Sequence, residues 1–310
     1  MKFKLKTMSL LLIIFFTGFI TSCTKDEGFN DNGNNSSLNG IHGTSTKGSG
    51  IVRFVLTDAP FPTDMVAEAN VTIDKIEIRE ESPSDTASSD STKFITLSND
   101  TQEFNLLDLR NGVTSVLTEA ELGAGVYDQI RMHVVDANVV MNDLVGTTYK
   151  LKIPSGTTSG LKIKINDGLT VTDGSQLTVL LDFDVSKSFV VQGNPHTKAG
   201  IKGFLFKPVV RAVVEEATGT ISGHVSVGDT TNVENANIEI YQMDSLITTA
   251  LTDTAGYYAA MGLPVGSYDI KCIADGYDES DVNNISVSAN DTTVVDISLQ
   301  PSAASGGTGE

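Results

Sequence analysis

From Ile51 onward apolar and polar residues alternate with a period of two over most of the chain, the pattern of half-buried strands. Ile51-Val52-Arg53-Phe54-Val55-Leu56 predicts a first strand, ended by Asp58-Ala59-Pro60. Val71 and Ile73, then Ile76 and Ile78, alternate with polar neighbours, and the parity change near Asp74-Lys75 predicts a bulge. Further strands are predicted at 94–97, 104–109, 126–135, 149–153, 161–165, 177–185 and 203–214, with Asn111-Gly112, Asp167-Gly168 and Asp173-Gly174 as turn pairs between them. Only the stretch from Val113 to Leu122 offers a short helix. A second alternating series runs from Gly219 to Gln300, where Tyr268, Ile270, Cys272 and Ala274 fall on one strand face. The predicted fold class is all-β, with two β-sandwich-like domains in series. The first, of about 165 residues, can bury roughly 70% of its unfolded surface and so hold its own core.

The N-terminus follows a different pattern. Lys2, Lys4 and Lys6 precede an apolar run from Met8 to Ile20. That run is too short to span a bilayer core, which needs roughly 20 helical residues, and it reads as a secretory signal. Ile20-Thr21-Ser22-Cys23 resembles a bacterial lipobox, which implies acylation of Cys23; the residues alone also allow an ordinary signal peptide with an incidental Cys. Several acyl chains hold a protein at a membrane far more firmly than one. Lys25, Asp26 and Glu27 resemble the lipoprotein export signal of Bacteroidota, which implies display on the outer face of the outer membrane; charges in a polar tether are the plainer alternative. From Gly28 to Gly50 the chain is rich in Asn, Gly, Ser and Thr, a composition that cannot offset its own ordering entropy and predicts a flexible stalk. The expected layout is a signal peptide over 1–22, a lipidated stalk over 23–49, one β domain over 50–216, a second over 217–300, and a disordered tail over 301–310.

Both β domains carry family patterns. Leu56-Thr57-Asp58-Ala59-Pro60, Asn105-Leu106-Leu107-Asp108-Leu109 with Asn111-Gly112, Ala124-Gly125-Val126-Tyr127-Asp128-Gln129-Ile130-Arg131, Pro154-Ser155 with Ser159-Gly160-Leu161-Lys162, and Leu181-Asp182-Phe183-Asp184 resemble domain-of-unknown-function family 4382. The resemblance implies an envelope setting and a fold but no activity. Gly219-Thr220-Ile221-Ser222-Gly223-His224-Val225, Thr252-Asp253-Thr254-Ala255-Gly256-Tyr257-Tyr258, Leu263-Pro264-Val265-Gly266-Ser267-Tyr268 and Ala274-Asp275-Gly276-Tyr277 resemble the carboxypeptidase regulatory-like domain. That implies a small transthyretin-like sandwich of the carbohydrate-binding-like fold, without a peptidase site. Within it Asp253 is placed to bond its own turn, and Gly256 to take a positive φ.

Charge and composition narrow the chemistry. The chain has 21 Lys and Arg against 39 Asp and Glu; without residues 1–22 the balance is 18 against 39, a net charge of −21. Such acidity argues against nucleic acid as a partner and favours a soluble exterior surface. Four His, two Cys and no Trp leave little for metal catalysis, a disulfide framework or Trp-lined sugar platforms. There is no His-Glu-x-x-His, Gly-x-Ser-x-Gly, phosphate loop or dinucleotide fingerprint, so no catalytic residue, metal site or cofactor is expected. His42 falls in the stalk and His196 in a loop; His133 sits inside a strand, facing away from Met132 and Val134, and Cys272 reads as a core cysteine. Asp182 with Asp184, and Asp275, Asp278, Glu279 and Asp281, have the oxygen donors calcium needs but not its loop spacing, so both groups read as solvated acidity, with a structural role as the alternative for Asp182 and Asp184, which belong to the first family's pattern. Tyr257, Tyr258, Tyr268 and Tyr277 are candidates for sugar stacking, with at least one of each neighbouring pair expected in the core.

One motif recurs. Asp followed by Ser or Thr and then an aliphatic residue or Thr occurs six times, against roughly two expected from composition. It resembles the O-glycosylation motif of exported Bacteroidota proteins and marks Thr86, Ser91, Thr230, Ser245, Thr254 and Thr292; turn chemistry selects the same dipeptides. The function these features predict is a non-enzymatic, surface-displayed lipoprotein presenting a binding or scaffolding surface to a glycan or an envelope protein. The alternatives are a purely structural envelope component and, less favoured, a hydrolase with an unrecognised site.

Overall fold

The computed structural model describes residues 48–59, 65–81, 94–153, 159–194, 200–228 and 231–302, of which 70% are strand and 5% helix. The first domain contains β1 (Ser49–Ala59), β2 (Val66–Glu80), β3 (Phe94–Ser98), β4 (Gln102–Asn105), β5 (Ser115–Gly123) and β6 (Gly125–Met141). These are followed by β7 (Thr148–Lys150), β8 (Leu161–Val171), β9 (Gln176–Asp184), β10 (Phe189–Asn194), β11 (Gly200–Phe206) and β12 (Val210–Val214). Ten of these strands form one sheet in the order β3-β2-β6-β8-β12-β9-β1-β5, with β4 added to β2 and β7 to β6. The sheet curls nearly into a barrel: on the β4 side the Gln102 amide donates to the Leu117 carbonyl of β5, 3.0 Å away. Phe54, Leu56, Val71, Ile73, Ile130, Met132, Leu181 and Phe183 fill the interior. The β10–β11 hairpin closes one end, with Phe189, Phe204 and Phe206 turned inward and Phe206 stacked on Phe183 at 6.3 Å.

The parity change in β2 is a bulge, since the β2–β6 register shifts between Ile73 and Lys75 and both sets of Ile and Val reach the core. Four local expectations are corrected. Residues 113–122 are not helical: β5 pairs with β1, and its Ala and Glu helix formers yield to that ladder. Only the start of 104–109 is strand; Leu106–Leu109 is a 3-10 turn that places Leu106 and Leu109 on the same buried side, three residues apart, with Asn105 accepting the Leu107 amide. Asp167-Gly168 does not separate strands but kinks β8 from within, both residues having positive φ. The segment 203–214 is two strands, β11 and β12, parted at Lys207-Pro208-Val209, where proline withholds a ladder donor.

The second domain comprises β13 (Thr218–Val227), β14 (Thr231–Asn232), β15 (Asn237–Gln242), β16 (Ser245–Leu251), β17 (Tyr257–Pro264), β18 (Gly266–Ile273), β19 (Ser280–Val287), β20 (Thr292–Val294) and β21 (Ile297–Leu299). One sheet is built on β13, flanked by β14, β17, β20 and β21; the other runs β16-β15-β18-β19. Ile221, Val225, Tyr258 and Leu263 from the first meet Ile238, Ile240, Ile270, Cys272 and Val287 from the second. The Asp253 carboxylate accepts the amides of Ala255 and Tyr257 at 2.8 and 2.9 Å, while Gly256 has φ +72°. Gly223 is required by close approach, because a Cβ there would lie 1.9 Å from the Val295 carbonyl oxygen. Thr46–Glu310, which holds both β domains, forms one compact unit.

Candidate functional site

The two β domains meet along the outer face of β1, β9 and β12. Val55, Leu180 and Val213 are buried there beneath Met261 of β17. Gly262, at φ +67°, allows this contact: a Cβ would come within 2.8 Å of Leu180 and 2.9 Å of Val213. Arg211 of β12 donates to the Gly262 carbonyl at 2.8 Å and the Met261 carbonyl at 3.3 Å, and pairs with Asp182 at 2.8 Å. From the other side Asn111, at φ +55°, donates to the Leu251 carbonyl at 3.0 Å and accepts the Ala259 amide at 3.4 Å. The link Glu215–Ala217 is a 3-10 turn whose Glu216 accepts the Thr178 amide through its carboxylate and the Asn290 side chain through its carbonyl. A cleft of about 360 Å³ opens there, lined by Glu215, Glu216, Thr220, Met261, Asn290 and Thr292 among others. Burial and the neighbouring Glu216 raise the Glu215 carboxyl above its ordinary range, against an opposing pull from Arg53.

The buried carboxylates all belong to the first domain. Asp58 is 6% exposed at the inner end of β1; one carboxyl oxygen accepts the Val185 amide at 3.2 Å and the other has no hydrogen-bond partner. Burial, reinforced by the charges of Asp182 and Asp184, pushes its pKa well above the usual carboxylate range. Glu77, 7% exposed, is pulled the other way. Burial favours its neutral form, but bonds from Lys75 and His133 and the nearby Arg131 outweigh it and hold the carboxyl below its ordinary value. Asp182 and Asp184 take the structural alternative and not solvated acidity: each is 8% exposed, Asp182 paired with Arg211, and Asp184 capping the turn Val185–Ser188 and pairing with Lys187 at 2.7 Å. Their alternation was legible, but the strands that cover both faces of β9 were not. Asp275, Asp278, Glu279 and Asp281 are exposed, as expected. Among the described residues no group of three or more His, Cys, Asp or Glu side chains has the geometry to hold a metal ion.

Cys23, Lys25, Asp26, Glu27, Thr86, Ser91 and Thr230 lie outside the described residues. Ser245 opens β16, Thr254 sits in the turn before β17 and Thr292 begins β20, all three exposed. No helix among the described residues is long and apolar enough to cross a membrane. Tyr258 and Tyr268 are core residues, their hydroxyls donating to the Val295 and Pro264 carbonyls at 2.7 Å. Tyr257 is half-buried against His224, so the four tyrosines make no common platform. Burial pushes the fully enclosed Cys272 thiol up to about 11. His133 bonds Glu77 at 3.3 Å. The junction residues Asn111, Arg211 and Gly262 had no signal beyond Asn-Gly, which predicts a turn and not what the Asn side chain touches.

The family described as a domain of unknown function, DUF4382, matches residues 49–208, just over half of the chain. The chain belongs to the DUF4382 family. In this DUF4382 protein the carboxypeptidase regulatory-like domain matches residues 220–300. No curated protein matches the chain. Among solved structures, it is 21% identical to a type II cohesin–X-dockerin complex of Acetivibrio cellulolyticus, covering 27% of this chain and 58% of that one, with a TM-score of 0.23. It is 17% identical to a putative carbohydrate-binding protein of Bacteroides uniformis, over 27% of this chain and 41% of the other, at a TM-score of 0.24. A shaft pilin of Lactobacillus rhamnosus GG is 12% identical, with 83% and 98% covered and a TM-score of 0.25. The DUF4382 protein thus spans well under two thirds of the first two of these chains.

Proposed function

We propose that this DUF4382 protein is a non-enzymatic lipoprotein, anchored through Cys23 at the outer membrane and displayed on the cell surface, where it presents a binding surface to carbohydrate. The observation that carries the non-catalytic reading is how the buried charges are used. Arg211 neutralises Asp182 while bonding two carbonyls of the second domain, Asp184 caps a turn, and Glu77 is ringed by Lys75, Arg131 and His133. A general acid or base must reach a substrate proton; these groups are committed to holding strands and domains together. The carboxypeptidase regulatory-like match and the exposed, folded surface of both domains support a binding role.

The anchor is tested by Cys23→Ser, which is expected to move the protein from the membrane fraction to the soluble fraction; retention in the membrane overturns the lipoprotein reading. Binding is tested with the full chain on a panel of polysaccharides. Selective retention by one or more is expected. Uniform absence of binding, with an envelope protein co-purifying instead, favours a structural role; turnover of any polysaccharide overturns the non-enzymatic reading. Intact-mass measurement on natively expressed protein tests the O-glycosylation of exposed Ser245, Thr254 and Thr292, which predicts discrete glycan increments and is refuted by a bare mass.

A further inference from the structure

The basic residues of the first domain are segregated along the sequence. Two stretches, 144–166 and 185–214, contain no Asp or Glu, yet carry nine bases: Lys150, Lys152, Lys162, Lys164, Lys187, Lys198, Lys202, Lys207 and Arg211. The rest of residues 50–216 holds six bases against 23 acids, and residues 219–300 hold Lys271 alone against 12 acids. An acid-free run of 30 residues in a chain this acidic is not what composition gives.

The fold brings the two stretches together. The Tyr149 ring of β7 meets Phe204 of β11 edge-on at 5.5 Å, and its hydroxyl donates to the Ile201 carbonyl at 3.4 Å. Tyr149, next to Lys150 in the chain, thus packs on the segment that carries Lys202, and Lys207 joins Lys187 at the hairpin base, where the Lys207 amide donates to the Ser188 carbonyl. Between them Val190 and Leu205, cross-strand partners, are 40% and 37% exposed on the outer face of the hairpin. Of the nine bases, Lys150 stands 3.5 Å from Asp136 while 79% exposed, Lys187 pairs with Asp184, and Arg211 pairs with Asp182. Asp143, in the nearby β6–β7 turn, spends its carboxylate on Thr147 and the Val145 amide. Among the described residues Lys152, Lys202 and Lys207 are exposed and have no ion-pair partner.

The place of this surface in the fold is distinctive. The chain enters the barrel at Gly48, whose carbonyl accepts the Ala124 amide, and β1 runs parallel to β9 from Ile51 opposite Gln176 to Ala59 opposite Asp184. The hairpin after Asp184 thus lies at the opposite end, roughly 30 Å away along the strands. Lys202 and Lys207 therefore lie toward the end opposite Gly48.

We propose that this end of the DUF4382 domain is a docking surface for an acidic polysaccharide. Unpaired ammonium groups on an anionic protein attract a polyanion by local field, and the protein's overall charge opposes any that fails to reach them. The Val190–Leu205 pair offers an apolar patch to the C–H faces of sugar rings. Stacked bases find nothing equivalent, because Tyr149 packs on Phe204 and the hairpin's Phe189, Phe204 and Phe206 turn into the core, whereas single-stranded nucleic acid binding relies on aromatic platforms. The proposal rests on the carbohydrate reading above and names its ligand class.

The test measures binding of the full-length protein, in detergent, to immobilised polygalacturonate and chondroitin sulfate, with dextran and oligothymidylate as neutral and phosphate comparators. At least one acidic glycan is expected to bind, more weakly as salt rises, and the triple variant Lys152→Glu, Lys202→Glu, Lys207→Glu to lose about tenfold or more in affinity. Lys271→Glu, in the second domain, is expected to change nothing, and an unaltered Tm shows that the triple variant is folded. Wild-type affinity in the triple variant, equal binding of oligothymidylate, or binding of neither acidic glycan overturns the proposal. Retention on dextran alone overturns it too, but leaves the carbohydrate reading standing; retention on no glycan of the wider panel removes both.

Discussion

The two β domains solve the problem of polar groups in opposite ways. The barrel buries four carboxylates, Asp58, Glu77, Asp182 and Asp184, and surrounds three of them with cations or amide donors. Among the described residues the sandwich buries none; its hidden polar side chains are neutral, such as Ser222, Thr248 and Thr252. A buried charge is costly unless paired, and breaking a pair costs more than never having had it. The barrel is therefore the domain whose architecture depends on specific ionic partners, and it also carries nearly all the cations available for a ligand. The sandwich relies on apolar packing and glycine-permitted close approach, as at Gly223, and contributes a uniformly acidic exterior.

The sharpest way to break this contrast is at the one residue serving both domains. Arg211→Ala removes the partner of buried Asp182 and the bonds to the Met261 and Gly262 carbonyls. A loss of about 3–5 kcal/mol is expected, the usual consequence of leaving a buried charge uncompensated. Chemical denaturation is expected to show one transition for the native chain and two for the variant; a single unshifted transition would contradict the junction described above. Asn111→Gly is gentler, because glycine keeps the positive φ while deleting the side-chain bonds to Leu251 and Ala259. The expected loss is about 1–2 kcal/mol, again read by denaturation.

The two unlike carboxylates of the barrel give effects of opposite sign. Asp58 has its folded pKa raised, so it costs nothing below its unfolded value of 3.8 and takes stability away as pH climbs toward the folded value. Glu77 has its folded pKa lowered, so its contribution is present above 4.5 and is lost as pH falls through the folded value. Asp58→Asn is accordingly expected to be more stable than the native protein, by a margin that widens as pH rises from about 4. Glu77→Gln is expected to be less stable at neutral pH, by a margin that narrows on acidification. Parallel pH profiles for the two variants would refute the distinction.

What was legible in the sequence follows the same division. In the sandwich the alternating series placed Tyr268, Ile270 and Cys272 on one buried strand face, and Asp253 with Gly256 marked a turn, but β16, β17 and β19 were not placed one by one, β17 being buried on both faces and so without a clean alternation. In the barrel period-two patterning worked for β1, β2, β6 and β9 but missed β10, whose Phe189 and Val191 point inward while the rest of the hairpin shows alternating Gly and polar residues without a clean stripe. Leu106 and Leu109 read as strand because a three-residue spacing is ambiguous over so short a run. Asp182 and Asp184 read as solvated because an acidic alternation looks the same whether the facing layer is water or Arg211. Junction and docking surface alike depend on side chains brought together from distant segments, Asn111 with Leu251, Tyr149 with Ile201, which no local pattern encodes.

The most direct test of the central claim, that the barrel end opposite the chain entry is the binding face, is lysine acetylation footprinting by mass spectrometry with and without saturating acidic polysaccharide. Lys152, Lys202 and Lys207 are expected to become protected while Lys271 continues to react at its free rate. Unchanged rates at those three lysines, or protection confined to the sandwich, would contradict it.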